Sequence, residues 1–195
     1  QKETGSALVY FAFFLMFYRE GMPGSILFCG AAAVVYFVVG IGQGETVLPG
    51  TLASVGETVV LALVWLFTAG LLLVYVPREP EHARRILFWG TLLHLVAYGV
   101  SLFIVPFDIS WAQLGGSTAM FGYLGMQWIG RRVNTFLLIG LFSIGSIGFL
   151  YASDYVLNNA MKDYQRTRIR VLLGVEEDRD ASYNVTQSKI AIGSG

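Results

Sequence analysis

Long apolar runs are the feature that most constrains this chain of 195 residues. A helix needs about 20 mostly apolar residues to cross a bilayer. Only 13% of the residues are charged, about half the share found in soluble domains. These features disfavour a soluble globule and predict an all-α bundle of transmembrane helices. Six candidate spans emerge, at residues 5–18, 25–42, 58–76, 86–105, 114–130 and 133–153.

The charges divide the chain into two parts. Residues 1–153 hold 14 of the 26 charged residues, and residues 154–195 hold the other 12. The sequence therefore predicts a membrane block followed by a polar tail. The net charge of zero provides no broad cationic surface for nucleic acid, which binds through counterion release. The single cysteine, Cys29, excludes an internal disulfide framework and a cysteine zinc site.

Arginine placement predicts the orientation of the spans, because short cytoplasmic loops collect Lys and Arg. The loops after the first, third and fifth spans contain arginine, whereas residues 43–57 and 106–113 contain neither Lys nor Arg. Glycine and serine lower the hydropathy of the fifth span. Omitting this span, however, would put the arginines that follow it on the opposite side of the membrane from the other basic loops. Six spans therefore fit one alternation, and the tail lies outside the cytoplasm. The loop arginines are Arg19, Arg78, Arg84, Arg85, Arg131 and Arg132.

Two histidines have different expected roles. His94 lies in the middle of a span, where an ionisable side chain is a functional candidate. A neutral histidine hydrogen-bonded to a neighbouring helix is the favoured alternative. His82 lies in the loop from Pro77 to Arg85, near Glu79 and Glu81, and is expected to be solvated.

The start of the tail combines helical spacing with arginines. The last helix is expected to continue beyond the bilayer or bend onto its surface, because apolar residues recur at helical spacing at Val156, Leu157, Ala160, Met161 and Tyr164. Arg166 and Arg170 are four residues apart and would share a helix face, with Arg168 between them in sequence. Two or three guanidinium groups could bind a phosphate or pyrophosphate bidentately. They could equally contact anionic lipid headgroups.

A carboxylate cluster follows, and its chemistry is open at this point. Clustered carboxylates can supply a base or hold a divalent cation such as Mg²⁺ or Mn²⁺. A solvated acidic loop is the favoured alternative. The cluster consists of Glu176, Glu177, Asp178 and Asp180.

The order of motifs in the tail resembles the large extracytoplasmic loop of the SEDS family (shape, elongation, division and sporulation). The motifs are Asp163-Tyr164-Gln165-Arg166, the carboxylates, and the run from Tyr183 to Gly195, which contains QSKIAIGSG intact from Gln187. Within the family, the rod-shape-determining members are the most similar. The opening residues, Gln1 to Leu8, are similar to the family's Gln-Pro-Asp-Leu-Gly-Thr-Ala-Leu stretch. The two matches together cover about a quarter of the chain.

This resemblance implies a peptidoglycan glycosyltransferase of the bacterial cytoplasmic (inner) membrane. Such an enzyme polymerises lipid II into glycan strands for cell-wall elongation and rod shape. The implied partners are lipid II, a class B penicillin-binding protein that acts as transpeptidase, and other membrane proteins of the elongation complex. The resemblance also implies that the chain is an internal fragment, inactive alone, and that 154–195 begins the catalytic loop. Residues 43–132 would be an insertion relative to the family.

The resemblance implies site residues as well. The family loop reads Asp-Pro-x-Gly-x-Gly-Tyr, and this chain lacks its Pro and both Gly. Asp178 matches the catalytic Asp by residue type, whereas counting back from Tyr183 without a gap gives Glu177. No metal ligand is assigned. The implied substrate-binding residues are Gln165, Arg166, Arg168, Arg170, Tyr183, Gln187, Ser188 and Lys189.

Two alternatives come from other functional classes. The first is a transporter or channel in which His94 and loop carboxylates line a solute path. Apart from His94, however, the span interiors offer only small hydroxyls such as those of Ser101 and Ser143. The second is a noncatalytic membrane scaffold of the cell-wall machinery.

Overall fold

The computed structural model describes residues 13, 16–173 and 175. This part of the chain is a bundle of long α-helices whose loops are short, and it contains no β-strand beyond a single bridge between Val47 and Ser54. The helices are α1 (Gly24–Gly42), α2 (Val55–Tyr75), α3 (Glu81–Phe103), α4 (Ile109–Arg131), α5 (Asn134–Tyr155) with a π-helical turn (Val156–Ala160), and α6 (Asp163–Leu172).

Among the described residues, four helices are long and apolar enough to cross a membrane. They are α1, α2, α3 and the continuous stretch Asn134–Ala160. The second, third, fourth and sixth candidate spans are thus confirmed as long apolar helices. The fifth forms α4, which has 23 residues but is not apolar enough to join this group. The first, at 5–18, lies outside the described residues except for 13 and 16–18.

The outer surfaces of these helices are apolar. At most 39% of the apolar window of any of the four helices is buried within the bundle. Large apolar side chains such as Phe103, Val74 and Leu95 are exposed on the surfaces of these helices. In water this would be an apolar surface far larger than soluble monomers present, whereas in a bilayer it would contact lipid. The bundle therefore has the surface of a membrane protein.

One end of the bundle, which we call the acidic end, is formed by loops 43–54 and 104–108 and the C-terminal end of α5. The loops meet where the Leu52 N–H donates to the Phe107 carbonyl (3.2 Å) and the Ser101 hydroxyl donates to the Gly50 carbonyl (2.9 Å). Two helices begin here with side-chain caps, which satisfy otherwise unpaired backbone N–H groups. The carboxylates at this end are Glu45, Glu57, Asp108 and Asp154.

The opposite end, the arginine end, brings the loop after α2 against the end of α4. The Arg131 guanidinium pairs with the Glu79 carboxylate across 52 residues of sequence. This contact places the arginines that follow the third and fifth candidate spans at the same end of the bundle. α4 thus extends from the acidic end to the arginine end, and its membrane crossing as a fifth span stays a prediction.

His82 is buried at the arginine end, so the prediction that it is solvated was wrong. Only 5% of its surface is exposed. Its Nε2 lies 2.8 Å from Glu79 Oε2, and its Nδ1 lies 2.5 Å from the Tyr123 hydroxyl. The physical reason is that α3 begins at Glu81, which puts His82 in the first helical turn with its ring against Phe136.

The interior of the bundle is joined by hydrogen bonds between small polar groups. Trp65 on α2 donates from Nε1 to the Ser117 hydroxyl on α4 (3.1 Å). The buried Gln113 donates from Nε2 to the Thr58 carbonyl (3.3 Å). Polar side chains at helix interfaces are common in membrane bundles. Gln113 and Ser117, two of the polar residues that lower the hydropathy of α4, therefore face α2.

The last apolar helix ends with a bend. The helix continues from α5 through the π-helical turn to Ala160, and Met161 and Lys162 then adopt extended backbone with ψ of 146° and 148°. α6 starts immediately afterwards, at Asp163. The expected continuation is thus observed up to Ala160 but was wrong for Met161, where the chain leaves the helix and changes direction before the arginine segment.

Candidate functional site

A polar cleft of about 320 Å³ lies at the acidic end. It is bounded by the end of α1, the start of α2, the π-helical turn and α6. Its polar lining includes Glu45, Glu57, Tyr151, Asp154, Asn158 and Arg170. Because the turn and α6 directly follow the last apolar helix, the cleft lies at the level where that helix would leave a membrane.

Arg170 connects α6 to this cleft. Its side chain is only 18% exposed, and its Nη1 lies 2.8 Å from Glu45 Oε1. Its Nη2 donates to Asn158 Oδ1 at 3.4 Å. A guanidinium that has lost most of its water needs such partners, because an unpaired buried charge is strongly destabilising. The contacts fix Arg170 in a defined position in the cleft.

The other predicted arginines lie on the same short helix but not all on one face. Arg166 is half-buried and lies one helical turn before Arg170, so the two share a face. Arg168 and Gln165 are exposed. Two positions along a helix correspond to a rotation of about 200°, which turns Arg168 away from the other two arginines. The structure brings Arg166 and Arg170 together and leaves Arg168 on another side.

Two further pairs of polar groups line the cleft. The Tyr151 hydroxyl donates a hydrogen bond to the Glu57 carboxylate in the first turn of α2, where negative charge is favoured by the helix dipole. Asn158 Nδ2 donates to Asp154 Oδ1 at 2.8 Å. Asn158 therefore contacts both a carboxylate and the guanidinium of Arg170.

Analysis of the sequence did not identify most of this lining. Glu45 and Glu57 are isolated carboxylates in the stretch 43–57. Tyr151, Asp154 and Asn158 follow an ordinary helical spacing. Only the packing of α1, α2 and α5 brings these groups within reach of α6. The one available signal was that the loops at this end contain carboxylates and no Lys or Arg.

Several predicted site residues lie outside the described residues. These are Glu177, Asp178, Tyr183, Gln187, Ser188 and Lys189. Val175 is described and lines the cleft, and its N–H donates to the Arg170 carbonyl at 2.9 Å. In sequence, Val175 comes directly before the carboxylate cluster. The proposed roles of Asp178 and Glu177 remain predictions.

A divalent cation would need a set of oxygen ligands. Within the part of the chain that the structure describes, no group of three His, Cys, Asp or Glu side chains is placed to hold a metal ion. The carboxylates at 176–180, on which the prediction of Mg²⁺ or Mn²⁺ rests, lie outside that part. No step proposed below depends on a cation.

His94 is far from this site in the fold, in the middle of α3. Its Nδ1 lies 2.6 Å from the Gly90 carbonyl of its own helix, and its ring meets the edge of Trp65 at 6.2 Å. The expected hydrogen bond to a neighbouring helix was therefore wrong. Nε2 is buried without a hydrogen-bond partner among the described residues.

Neither a family model, nor a curated protein, nor a solved structure matches this chain.

Proposed function

We propose that this chain is part of a SEDS-type peptidoglycan glycosyltransferase that polymerises lipid II at the outer surface of the bacterial cytoplasmic membrane. The observation that carries the proposal is the position of α6. It follows the last apolar helix directly, and its Arg170 lies in a polar cleft with Arg166 one turn away. Lipid II keeps its lipid in the bilayer and its pyrophosphate at the surface. The resemblance of residues 163–166 and 183–195 to the motifs of that family supports the choice of family.

In the proposed reaction, the 4-hydroxyl of an acceptor GlcNAc attacks C1 of a donor MurNAc. The bond between C1 and the lipid pyrophosphate oxygen breaks, and the lipid pyrophosphate leaves. The hydroxyl proton passes to a carboxylate, Asp178 or alternatively Glu177. General-base catalysis of this kind contributes about 10²- to 10⁴-fold.

The arginine face of α6 has an electrostatic role in this scheme. Negative charge grows on the pyrophosphate as the bond to C1 breaks, and fixed cations stabilise that charge. Arg170 is held by Glu45 and Asn158 and is mostly shielded from water, which strengthens its electrostatic interactions. Arg166 shares its helix face. We assign these two arginines to the pyrophosphate and give Arg168 a lesser role.

The proposal includes six spans, with the arginine end in the cytoplasm and the acidic end outside. It is supported by the contact between Arg131 and Glu79, which gathers the arginine-rich loops at one end. A class B penicillin-binding protein and other elongation proteins would then meet the chain within the membrane and at its outer surface.

Polymerisation of purified lipid II tests the proposal. The assay uses the longer protein that the resemblance implies, together with its transpeptidase partner, and reads glycan polymers by gel. We expect polymer from the parent and none from Asp178→Asn, which keeps the size of the side chain but removes its charge. Glu177→Gln is the matched control and should lose much less activity. If both variants polymerise lipid II at the parental rate, neither Asp178 nor Glu177 is the catalytic base. If the parent itself makes no polymer, the noncatalytic scaffold is favoured instead.

A further inference from the structure

A second, larger cavity lies between α3 and α4, away from the polar cleft. It is a groove of about 720 Å³, within the range of sites that hold small ligands. Its lining is almost entirely apolar, and α2 contributes the floor. Trp65 of α2 forms the floor, and the walls include Trp89, Leu92, Val96, Ala119 and Met120.

Two glycines shape the floor of the groove. A Cβ added at Gly90 would overlap the Trp65 ring, and one added at Gly116 would overlap the Leu93 side chain. The indole of Trp65 can therefore lie deep between α3 and α4. Its N–H is already bonded to the Ser117 hydroxyl, so the floor presents carbon atoms and no unsatisfied donor.

The rim of the groove faces outward from the bundle. Trp89 is 60% exposed, and Leu92 and Val96 are also exposed. These side chains belong to α3, one of the helices long and apolar enough to cross a membrane. In a bilayer, the groove would open toward lipid tails.

The groove has cationic side chains at one end only. Arg85 lines the groove near the start of α3, and Arg84 and Arg85 together line an adjoining surface pocket beside Trp89. Arg85 is 3.9 Å from Glu81, and both side chains are more than half exposed, a geometry that contributes little as an ion pair. Its guanidinium is therefore available to a stronger anion. Basic pockets between membrane helices bind anionic headgroups.

We infer that this groove binds one acyl chain of an anionic phospholipid, whose phosphate lies on Arg85. The apolar walls contact the chain, and the guanidinium of Arg85 contacts the phosphate of the headgroup. This site does not depend on the proposed glycosyltransferase activity. It lies toward the arginine end, within residues 43–132, whereas the polar cleft lies at the acidic end.

Fluorescence quenching by brominated lipids tests this inference. The full chain, with Trp89, Trp111 and Trp128 replaced by Phe, is reconstituted in phosphatidylcholine vesicles so that Trp65 is the remaining tryptophan. A fixed fraction of lipid with brominated chains is then added, either as phosphatidylglycerol or as phosphatidylcholine. We expect Trp65 to favour phosphatidylglycerol about fivefold, the preference that one arginine near an anionic headgroup provides.

Three variants assign the binding to its parts. Arg85→Gln, an exposed change, should remove the preference for phosphatidylglycerol. Ala119→Phe should fill the groove and reduce quenching by both lipids, whereas Thr118→Phe, on an exposed face of α4 outside the groove, should leave quenching unchanged. Equal quenching of the parent by both lipids would overturn the inference, as would a preference that survives Arg85→Gln. Quenching that is unchanged in a folded Ala119→Phe protein would exclude the groove as the site of the chain.

Discussion

The buried histidine at the arginine end is the clearest case of a residue whose role depends on the fold. His82 contacts Glu79 through one ring nitrogen and Tyr123 through the other, and so links the loop after α2 to α4. Glu79 also pairs with Arg131. Hydrogen bonding from His82, and then from Arg131, lowers the pKa of the Glu79 carboxyl below its ordinary value of 4.5. The sequence showed only a histidine among charged neighbours.

Replacing His82 should weaken the bundle. His82→Phe keeps a ring against Phe136 but leaves the Tyr123 hydroxyl without this partner, and an unsatisfied buried polar group costs about 1–3 kcal/mol. The measurement is the free energy of unfolding in detergent micelles. Glu81→Gln, at an exposed position one residue away, is the control and should change it little. If His82→Phe and the parent have the same free energy of unfolding, the hydrogen bonds of His82 make no net contribution to stability.

The acid dependence of stability should report on Glu79. Because its pKa is lowered in the folded state, its ionised form stabilises the fold above pH 4.5, and that contribution is lost as the pH falls through the folded pKa. The difference in thermal midpoint between the parent and Glu79→Gln should thus be constant above about pH 5 and shrink at lower pH. A difference that grows on acidification would contradict this assignment.

At the scale of elements, the apolar helices could be predicted and the polar contacts between them could not. Runs of apolar residues located α1, α2, α3 and α5 to within a few residues, because burial in lipid requires length and hydropathy that the sequence displays directly. α4 was located mainly by its arginines, since Gln113 and Ser117 lower its hydropathy. Their hydrogen bonds to α2 depend on which helices are neighbours, and a single sequence does not show this. The lining of the cleft was missed for the same reason.

The docking of α6 onto the bundle should depend on one ion pair. Glu45→Gln removes the charge that faces Arg170 at 2.8 Å, and this ion pair joins α6 to the loop after α1. We expect faster amide hydrogen exchange across Asp163–Leu172, because the helix would open more often. Lys162→Gln, an exposed neutralisation directly before α6, should not change the exchange. Unchanged protection in Glu45→Gln would mean that other contacts hold the helix.

At the scale of the whole molecule, the loops at the two ends of the bundle differ in charge, whereas α6 brings three arginines to the acidic end. Arginine-rich loops meet at one end, and loops with carboxylates but no Lys or Arg meet at the other. This separation was predicted from the sequence because it depends only on the order of spans and loops. The predicted base in the tail lies outside the described part of the chain, and its role stays a prediction.

Cysteine labelling checks the orientation. In a chain with Cys29 replaced by Ser, single cysteines at Thr46, Pro106 and Asn158 should react with an impermeant thiol reagent in intact spheroplasts. One at Glu81 should react only after the membrane is permeabilised. Labelling of the Glu81 position in intact cells together with protection of the Asn158 position would invert the orientation, and with it the side on which α6 meets its substrate.

The arginine face of α6 provides the most direct test of the proposed function. The initial rate of lipid II polymerisation is measured for the longer protein and for Arg166→Ala, Arg170→Ala and Arg168→Ala. Loss of a charged hydrogen bond to the pyrophosphate should lower the rate by about 10- to 150-fold for Arg166 and for Arg170. Arg168 lies on another side of the same helix, so its variant should retain most of the parental rate. A parent without polymerase activity, or the same rate in all three variants as in an active parent, would contradict the account.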